Sequence, residues 1–383
     1  MNVWIANPFD NLPLEGYRPQ RYWLMARAFA RAGHNVTYWT SDFSHALKAK
    51  RKILHANPEP RIGLRFVPTP PYKSNICLAR VASHMALARK WRSLAQAETR
   101  KPDVAVASMP PLGLCGEVLR FAHASGAVAI VDVMDAWPET FERIVPRPLR
   151  APLRRAAGKI YNSADAVSAV ASRYIDLAKS YGASAPAKLF YHGIEIDARP
   201  PRREARRDGM FRLAYIGSMG ASYDLETAIV AVKATPRATF DIAGGGPKEA
   251  LLRKTAGNCD RIHFHGYLDS AGMKKLLAGA DAGLVPMLPE SCVGVPYKLA
   301  DYAAAGLRVA ECLGGETQAL VERFHAGLHY KPRDPASLAR CMAELAAGTD
   351  AEWDPGGFAD GFNAENIMSD YVRWTEGLCA SGA

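Results

Sequence analysis

The sequence has no long apolar run, and none approaches the roughly 18–20 residues that a membrane-spanning helix needs. Its start lacks a basic segment followed by an apolar core, so no leader is expected and the expected location is cytoplasmic. Cysteine is sparse: Cys77, Cys115, Cys259, Cys292, Cys312, Cys341 and Cys379 are scattered, odd in number and never in CxxC spacing. That pattern excludes a disulfide framework and a zinc site, and fits reduced, mostly buried thiols. The histidines His34, His45, His84, His123 and His192 show no metal spacing either. A Walker pattern is absent, and no GxGxxG follows the first apolar run, which argues against P-loop and ordinary dinucleotide folds.

Acid is scarce in one half only. Residues 1–160 hold 24 Lys and Arg against 11 Asp and Glu, whereas residues 161–383 hold 24 against 27, so the net charge of +10 belongs to the N-terminal half. Its runs are KAKRK (Lys48–Lys52), ARKWRS (Ala88–Ser93) and RIVPRPLRAPLRRAAGK (Arg143–Lys159), the last containing a candidate basic amphipathic helix. With no nucleic-acid-binding signature beside them, these runs suit anionic lipid headgroups or a polyphosphate, or form a solvated face, and three in one half favour a membrane surface.

What is present is alternation. Short β-branched runs at 2–6, 35–40, 63–68, 103–108, 127–133, 166–171 and 188–193 alternate with alanine-rich helical stretches such as Tyr22–Ala32. The spacing of roughly 25–30 residues is that of parallel βα units. A second series follows at 211–218, 239–247, 261–268, 282–287, 308–313 and 327–332. Between the two lies the polar, proline-containing stretch 196–210, which has the composition of a linker. The pattern predicts an α/β chain of two Rossmann-like doubly wound domains, 1–195 and 211–362, facing a central cleft. Ligands in such sheets bind outside the carboxyl ends of the strands.

Three strands of the second series end in GSMGASYD, AGGGP and HGYL. Gly217, Ser218 and Gly220 precede a helix expected near Leu225–Val232, whose N-terminus is a possible seat for a diphosphate; turn packing is the other reason for such glycines. LPESCVGVPYKLADYAAAGLRV (Leu288–Val309) leads from a polar loop into a short helix, Tyr297–Ala305, stopped by Gly306. On it Lys298 and Asp301 share a face, suited either to a nucleotide's phosphates and ribose or to a simple surface ion pair. In the first half Asp135 follows a buried strand in DVMDAWP, at the carboxyl end where ligands bind, positioned to accept from a ligand hydroxyl or to organise its loop.

In that order AYIGSMGASYDLETAI, FDIAGGGP, IHFHGYL and VPYKLADYAAAGLRV resemble the C-terminal domain of GT-B glycosyltransferases of family 4, and DVMDAWPETF resembles the D-x-W-P segment of its bacterial polysaccharide branch. ENIMSDYVRW (365–374) resembles the family's last helix, expected over 363–378 and returning to the first domain. The resemblance implies a retaining, metal-independent transferase without cofactor, moving one sugar from a nucleotide-sugar donor, a UDP-sugar first, to a lipid-linked saccharide. The polyprenyl-diphosphate-linked acceptor implies assembly of capsule, exopolysaccharide or O-antigen on the inner face of the cytoplasmic membrane. Alternatives are a UDP-amino-sugar epimerase and a non-catalytic nucleotide- or sugar-binding module.

The resemblance extends the donor set from Gly217, Ser218, Gly220, Lys298 and Asp301 to Gly16, Arg18, Met219, Gly244, Gly266, Tyr267, Gly294, Pro296 and Leu299. Catalytic candidates are Asp135, Glu15 and Glu290. The family's two acids eight residues apart are met here only by Asp301, since Val293 stands where the first belongs and Glu290 is its nearest substitute. The family's Arg and Lys after the first strand of that domain are missing from GSMGASYD, so Arg18 or Arg21, in the long loop after the first strand, is the expected replacement cation.

Overall fold

A computed structural model describes residues 1–142, 145–200, 208–348 and 351–381. They form two compact units: unit 1 is Met1–Gly193 with Ala364–Ala383, and unit 2 is Ile194–Asn363. Residues 201–207 of the stretch 196–210, read above as a linker, lie outside the described residues.

Unit 1 runs β1 (Asn2–Ala6), α1 (Arg21–Arg31), β2 (Asn35–Ser41), β3 (Phe43–Ser44), β4 (Ala49–Lys50), β5 (Ile62–Val67), α2 (Leu78–Ala97), β6 (Val104–Met109) and α3 (Leu112–Ala124). It continues with β7 (Val128–Val133), α4 (Glu139–Glu142), α5 (Arg147–Ser163), β8 (Ala166–Ala169), α6 (Ser172–Ser180) and β9 (Ala187–Leu189). Seven of these strands make one sheet in the order β5-β2-β1-β6-β7-β8-β9, parallel throughout, while β3 and β4 pair as a small antiparallel ribbon. Strands β6 and β8 are buried at every position and β1 and β7 at all but their first, as expected where helices cover both faces of a parallel sheet.

Unit 2 runs β10 (Phe211–Ile216), α7 (Leu225–Ala234), β11 (Ala238–Ala243), α8 (Glu249–Ala256), β12 (Ile262–Gly266), α9 (Ser270–Gly279) and β13 (Ala282–Val285). It ends with α10 (Tyr297–Ala304), β14 (Arg308–Glu311), α11 (Gly315–Arg323), β15 (Gly327–His329), α12 (Pro335–Ala347) and α13 (Pro355–Asp360). Its sheet has the order β12-β11-β10-β13-β14-β15, also parallel. The chain then re-enters unit 1 as α14 (Ala364–Ser381), where Tyr371 and Trp374 pack on Phe190 with ring centroids 4.7 and 5.4 Å apart.

Each sheet has its own core. In unit 1 Val3, Ile5, Tyr22, Phe29, Val106 and Ile130 join residues of α14; in unit 2 Leu213, Tyr215, Ile229, Phe240, Leu284 and Met342 are enclosed. The basic stretch after Pro146 is indeed a helix, α5, which buries Ala157, Gly158, Ile160 and Tyr161. Arg143 and Ile144, the start of that run, lie outside the described residues. Among the described residues no helix is long and apolar enough to cross a membrane.

Candidate functional site

In unit 2 the carboxyl ends of β10, β11 and β12 lie side by side because Ile216 pairs with Ala243 and Ala243 with Gly266. Their turns are laced by backbone bonds: Gly217 N–H donates to Ala243 O (3.0 Å), Met219 N–H to Gly245 O (2.9 Å) and Gly244 N–H to Gly266 O (2.6 Å). A Cβ on Gly244 (φ +122°) would fall 1.9 Å from Gly217 O, so this glycine is required by its neighbouring turn. Gly244 thus leaves the donor set for a packing role. Gly217 and Ser218 are exposed, Gly220 and Gly266 half-buried, and Tyr267 stands 86% exposed, whereas Met219 is buried.

The expected phosphate seat on α7 is occupied. Asp224 caps that helix, accepting from Thr227 N–H (3.3 Å) and Thr227 Oγ1 (2.8 Å), and it also accepts from Arg333 N–H (2.9 Å). A carboxylate on the helix N-terminus satisfies the groups that would hold an anion and repels one. By contrast α10 starts at Pro296 with no side-chain cap. The start of α10 therefore carries no acidic cap, although Leu299 N–H donates to Pro296 O at 3.0 Å.

Lys298 is on the first turn of α10. It is 7% exposed, with Nζ 4.3 Å from the ring centre of Tyr223 and 5.2 Å from that of Tyr215. A Cβ on Gly217 would lie 3.6 Å from Lys298 Cε, so the lysine stem runs beside the first glycine turn. Its ammonium has no hydrogen-bond or ion-pair partner among the described residues and is held by the two ring faces. Burial lowers its pKa to about 7, against the opposing charge of Asp301. Asp301 is 8% exposed. Leu299 is fully buried and belongs to the core, not to the donor set, and Gly294 O accepts from Thr317 Oγ1 at 2.8 Å.

Glu290 lies on a short 3-10 turn, Pro289–Ser291, exposed and paired with both terminal nitrogens of Arg333 at 3.1 Å. The main-chain contact of Arg333 with Asp224 places a cation at this edge from within unit 2 itself. Neither Arg333 nor Tyr215 and Tyr223 was expected from sequence. The signal for the tyrosines was available in AYIGSMGASYD, two aromatics flanking the glycine turn.

In unit 1 the loop after β1 is woven shut. Asn7 Oδ1 accepts from Phe9 and Asp10 N–H, Asp10 accepts from Tyr22 N–H, and Asn11 N–H donates to Gln20. Glu15 is buried, accepting from Leu12 N–H (2.9 Å) and from Arg51 (2.5 Å), while Arg51 also donates to Ser41 O and Asp10 O. Glu15 is therefore a fastener of the loop and not a catalytic candidate. Arg21 cannot supply the missing cation either: it is fully buried, gives two bonds to Asp132 (2.8 and 2.9 Å) and donates to Phe190 O and Tyr191 O. Burial alone would raise the Asp132 pKa, but the Arg21 guanidinium overrides it and holds the carboxyl below its ordinary value. Gly16 (φ +86°) is exposed and Arg18 is half-buried.

Asp135 follows β7, half-buried, accepting from Ala136 N–H (2.8 Å) and Thr140 Oγ1 (3.2 Å). Burial raises its pKa, tempered by these bonds and by the charges of Arg80 and Arg173. Asp10, missed in the sequence, is pushed up to about 6 by burial despite its bond from Tyr22 N–H and nearby Arg21 and Arg51. Among the described residues no group of three His, Cys, Asp or Glu is arranged to hold a metal.

Residues 21–198 match the family model described as Glycosyltransferase Family 4, and residues 211–347 that described as Glycosyl transferases group 1. No curated protein sequence matches the chain. Among solved structures, sucrose-phosphate synthase from Thermosynechococcus elongatus is similar at TM-score 0.75 and 13% identity, covering 99% of both chains. Anabaena HepE in complex with UDP and glucose is similar at 0.66 and 14%, covering 98% of this chain and 100% of its own. WaaG, a glycosyltransferase involved in lipopolysaccharide biosynthesis, gives 0.66 at 15% with the same coverage. With a family 4 segment before its second sheet and a group 1 segment across it, this chain belongs to the glycosyltransferases of GT-B fold.

Proposed function

We propose that this glycosyltransferase moves one sugar from a nucleotide sugar, a UDP-sugar first, to a lipid-linked saccharide, with retention at the anomeric carbon. The observation that carries the donor half is Lys298, a nearly buried ammonium with no acidic bonding partner among the described residues, beside an exposed glycine turn and a helix start without a side-chain cap. Leaving such a cation unpaired is costly unless a ligand completes it. HepE was solved with UDP and glucose, and the pneumococcal O-GlcNAc transferase GtfA with UDP and GlcNAc, which favours a uridine diphosphate over other donors.

In this reading the diphosphate lies on Lys298, the N–H groups at the start of α10 and Ser218, with Asp301 on the ribose. Departure of the diphosphate builds charge on its oxygens as the sugar becomes oxocarbenium-like, and these donors stabilise it without reorganising. Asp135 accepts a hydrogen bond from the acceptor hydroxyl. The leaving phosphate, rather than a protein nucleophile, takes the proton, and no metal or cofactor is assigned a role. The basic half of the chain holds the enzyme peripherally on the inner face of the cytoplasmic membrane, where capsule, exopolysaccharide or O-antigen precursors are built. Exposed Arg89, Lys90 and Arg92 serve this contact, whereas Arg51 of the KAKRK run is turned inward to Glu15.

Calorimetric titration with UDP and GDP tests the donor site. Lys298→Ala and Asp301→Ala are expected to weaken UDP binding with the fold intact, and unchanged affinity in both overturns the assignment. Single-sugar transfer in a donor panel, with the product anomer read by NMR, tests the rest.

A further inference from the structure

Helix α2 and the ribbon β3–β4 enclose a cluster that the donor chemistry does not use. Four rings close a circuit: Phe9 to His45 (5.3 Å between centroids), His45 to Tyr72 (5.8 Å), Tyr72 to His84 (6.1 Å) and His84 back to Phe9 (5.6 Å). Two cations stand at its rim. Lys48 lies 5.3 Å from the Tyr72 ring centre and 3.3 Å from His45 Nδ1, and Arg80 donates to Asn75 O at 2.7 Å. Neither forms an ion pair among the described residues. Arg80 Nε and His84 Nε2 are buried with no hydrogen-bond partner there. His45 and His84 are depressed to about 3 and about 4, first by burial and then by the Lys48 and Arg80 charges, so both rings are neutral at pH 7, and Asp135 is the acid whose charge Arg80 feels.

An apolar strip adjoins it. On α2, Arg80 and His84 share the inward face with buried Leu87 and Trp91, while Leu78, Val81 and Met85 recur at helical spacing on a strip centred roughly 120° further round. Those three are 87%, 51% and 56% exposed, and Ile76 just before the helix is 65% exposed. Lys48, which also donates to His45 O, and Arg80, which also lies over the Phe141 ring, have no acidic ion-pair partner among the described residues, and such cations beside an exposed apolar strip are complementary to an anionic amphiphile, not to a free sugar or a small anion alone.

We infer that this cluster binds the phosphate end of a prenyl diphosphate-type acceptor, Lys48, Arg80 and His84 taking the phosphates and Leu78, Val81 and Met85 the adjoining hydrocarbon. The inference rests on the lipid-linked acceptor proposed above and gives it a location. Phosphate oxygens satisfy Arg80 Nε and His84 Nε2, and the aromatic floor limits water around them.

The test uses the full chain and farnesyl diphosphate below its aggregation concentration, with pyrophosphate, farnesol and phosphatidylglycerol vesicles in parallel. Farnesyl diphosphate is expected to bind at least about tenfold tighter than pyrophosphate or farnesol. The pair Lys48→Gln with Arg80→Gln is expected to weaken farnesyl diphosphate and pyrophosphate by about tenfold or more. Leu78→Ser with Met85→Ser, both on exposed positions that cannot disturb the core, is expected to weaken only farnesyl diphosphate, by about threefold to tenfold. Equal affinity for pyrophosphate and farnesyl diphosphate overturns the inference. So does loss of vesicle binding in the Gln pair with farnesyl diphosphate affinity unchanged, which makes the face a membrane contact. UDP titrated on the same samples separates the two readings. UDP binding without farnesyl diphosphate binding overturns the acceptor subsite alone, and the reverse supports the subsite while the donor assignment fails.

Discussion

Each unit carries a cation and a carboxylate within its interior, and they are built to opposite ends. Arg21 and Asp132 of unit 1 are both fully buried and joined by two bonds, with Ser168 Oγ donating to Asp132 at 2.6 Å and Tyr371 OH 3.0 Å from that hydroxyl. Lys298 and Asp301 of unit 2 are nearly as buried, yet the ammonium rests on tyrosine faces with no acidic partner in bonding distance among the described residues. A satisfied pair holds a fold together; an unsatisfied cation is poised for something that arrives later. Burial alone does not distinguish a structural charge from a functional one, whereas the list of bonding partners does.

The sharpest break of this contrast is Asp132→Asn or Arg21→Met. Removing one partner of a fully buried pair is expected to cost about 3–5 kcal/mol, read by chemical denaturation. A loss under about 1 kcal/mol would show that the pair is not structural. Lys298→Ala should do the reverse, leaving stability unchanged or raised while weakening UDP binding about tenfold to a hundredfold, the loss expected for charge-assisted bonds. If it unfolds the protein instead, the two pairs are alike.

The pH dependence is smaller. Lys298 has its pKa lowered to about 7, so in the free protein its charged form dominates below pH 7 and is lost above it. A diphosphate favours the ammonium, so UDP affinity should fall as pH rises from 6 to 9, by at most about tenfold per unit, with proton uptake on binding. Titrations in two buffers of different ionisation heat measure that uptake, and Lys298→Arg should abolish it. The smallest effect is expected at Glu290 and Arg333. Their exposed pair is worth about 0–1 kcal/mol, so Glu290→Gln should leave stability nearly unchanged.

Much of this was legible beforehand. Short β-branched runs and their spacing locate the strands, and Gly306, at φ +63°, stops α10 where a left-handed residue is needed. Lys298 was legible as a candidate because its helix follows a polar, glycine- and proline-containing loop. What stayed hidden was pairing at a distance. Arg21 and Asp132 are 111 residues apart, and Glu15 and Arg51 are 36 apart, so no local pattern reveals that these charges neutralise one another. The capping of α7 was readable in D-x-x-T, Asp224 to Thr227, but the glycine turn before it suggested a phosphate seat instead. Gly244 shows the same ambiguity, since absence of a side chain reads equally as room for a ligand and as room for Gly217 O.

The division of the chain at Gly193–Ile194 and Asn363–Ala364 has a consequence for how the protein is made. Gly193 sits against Ala364, where a Cβ would come 2.7 Å from its Cα, and α14 supplies Met368, Tyr371 and Val372 to the core of unit 1. On the ribosome α14 emerges only after all of unit 2, a continuous segment. The second unit to be translated can thus finish folding first, while the first waits with an open flank over α1 and β9. A nascent chain paused near residue 363 would expose that flank, and chaperone or protease sensitivity should concentrate there.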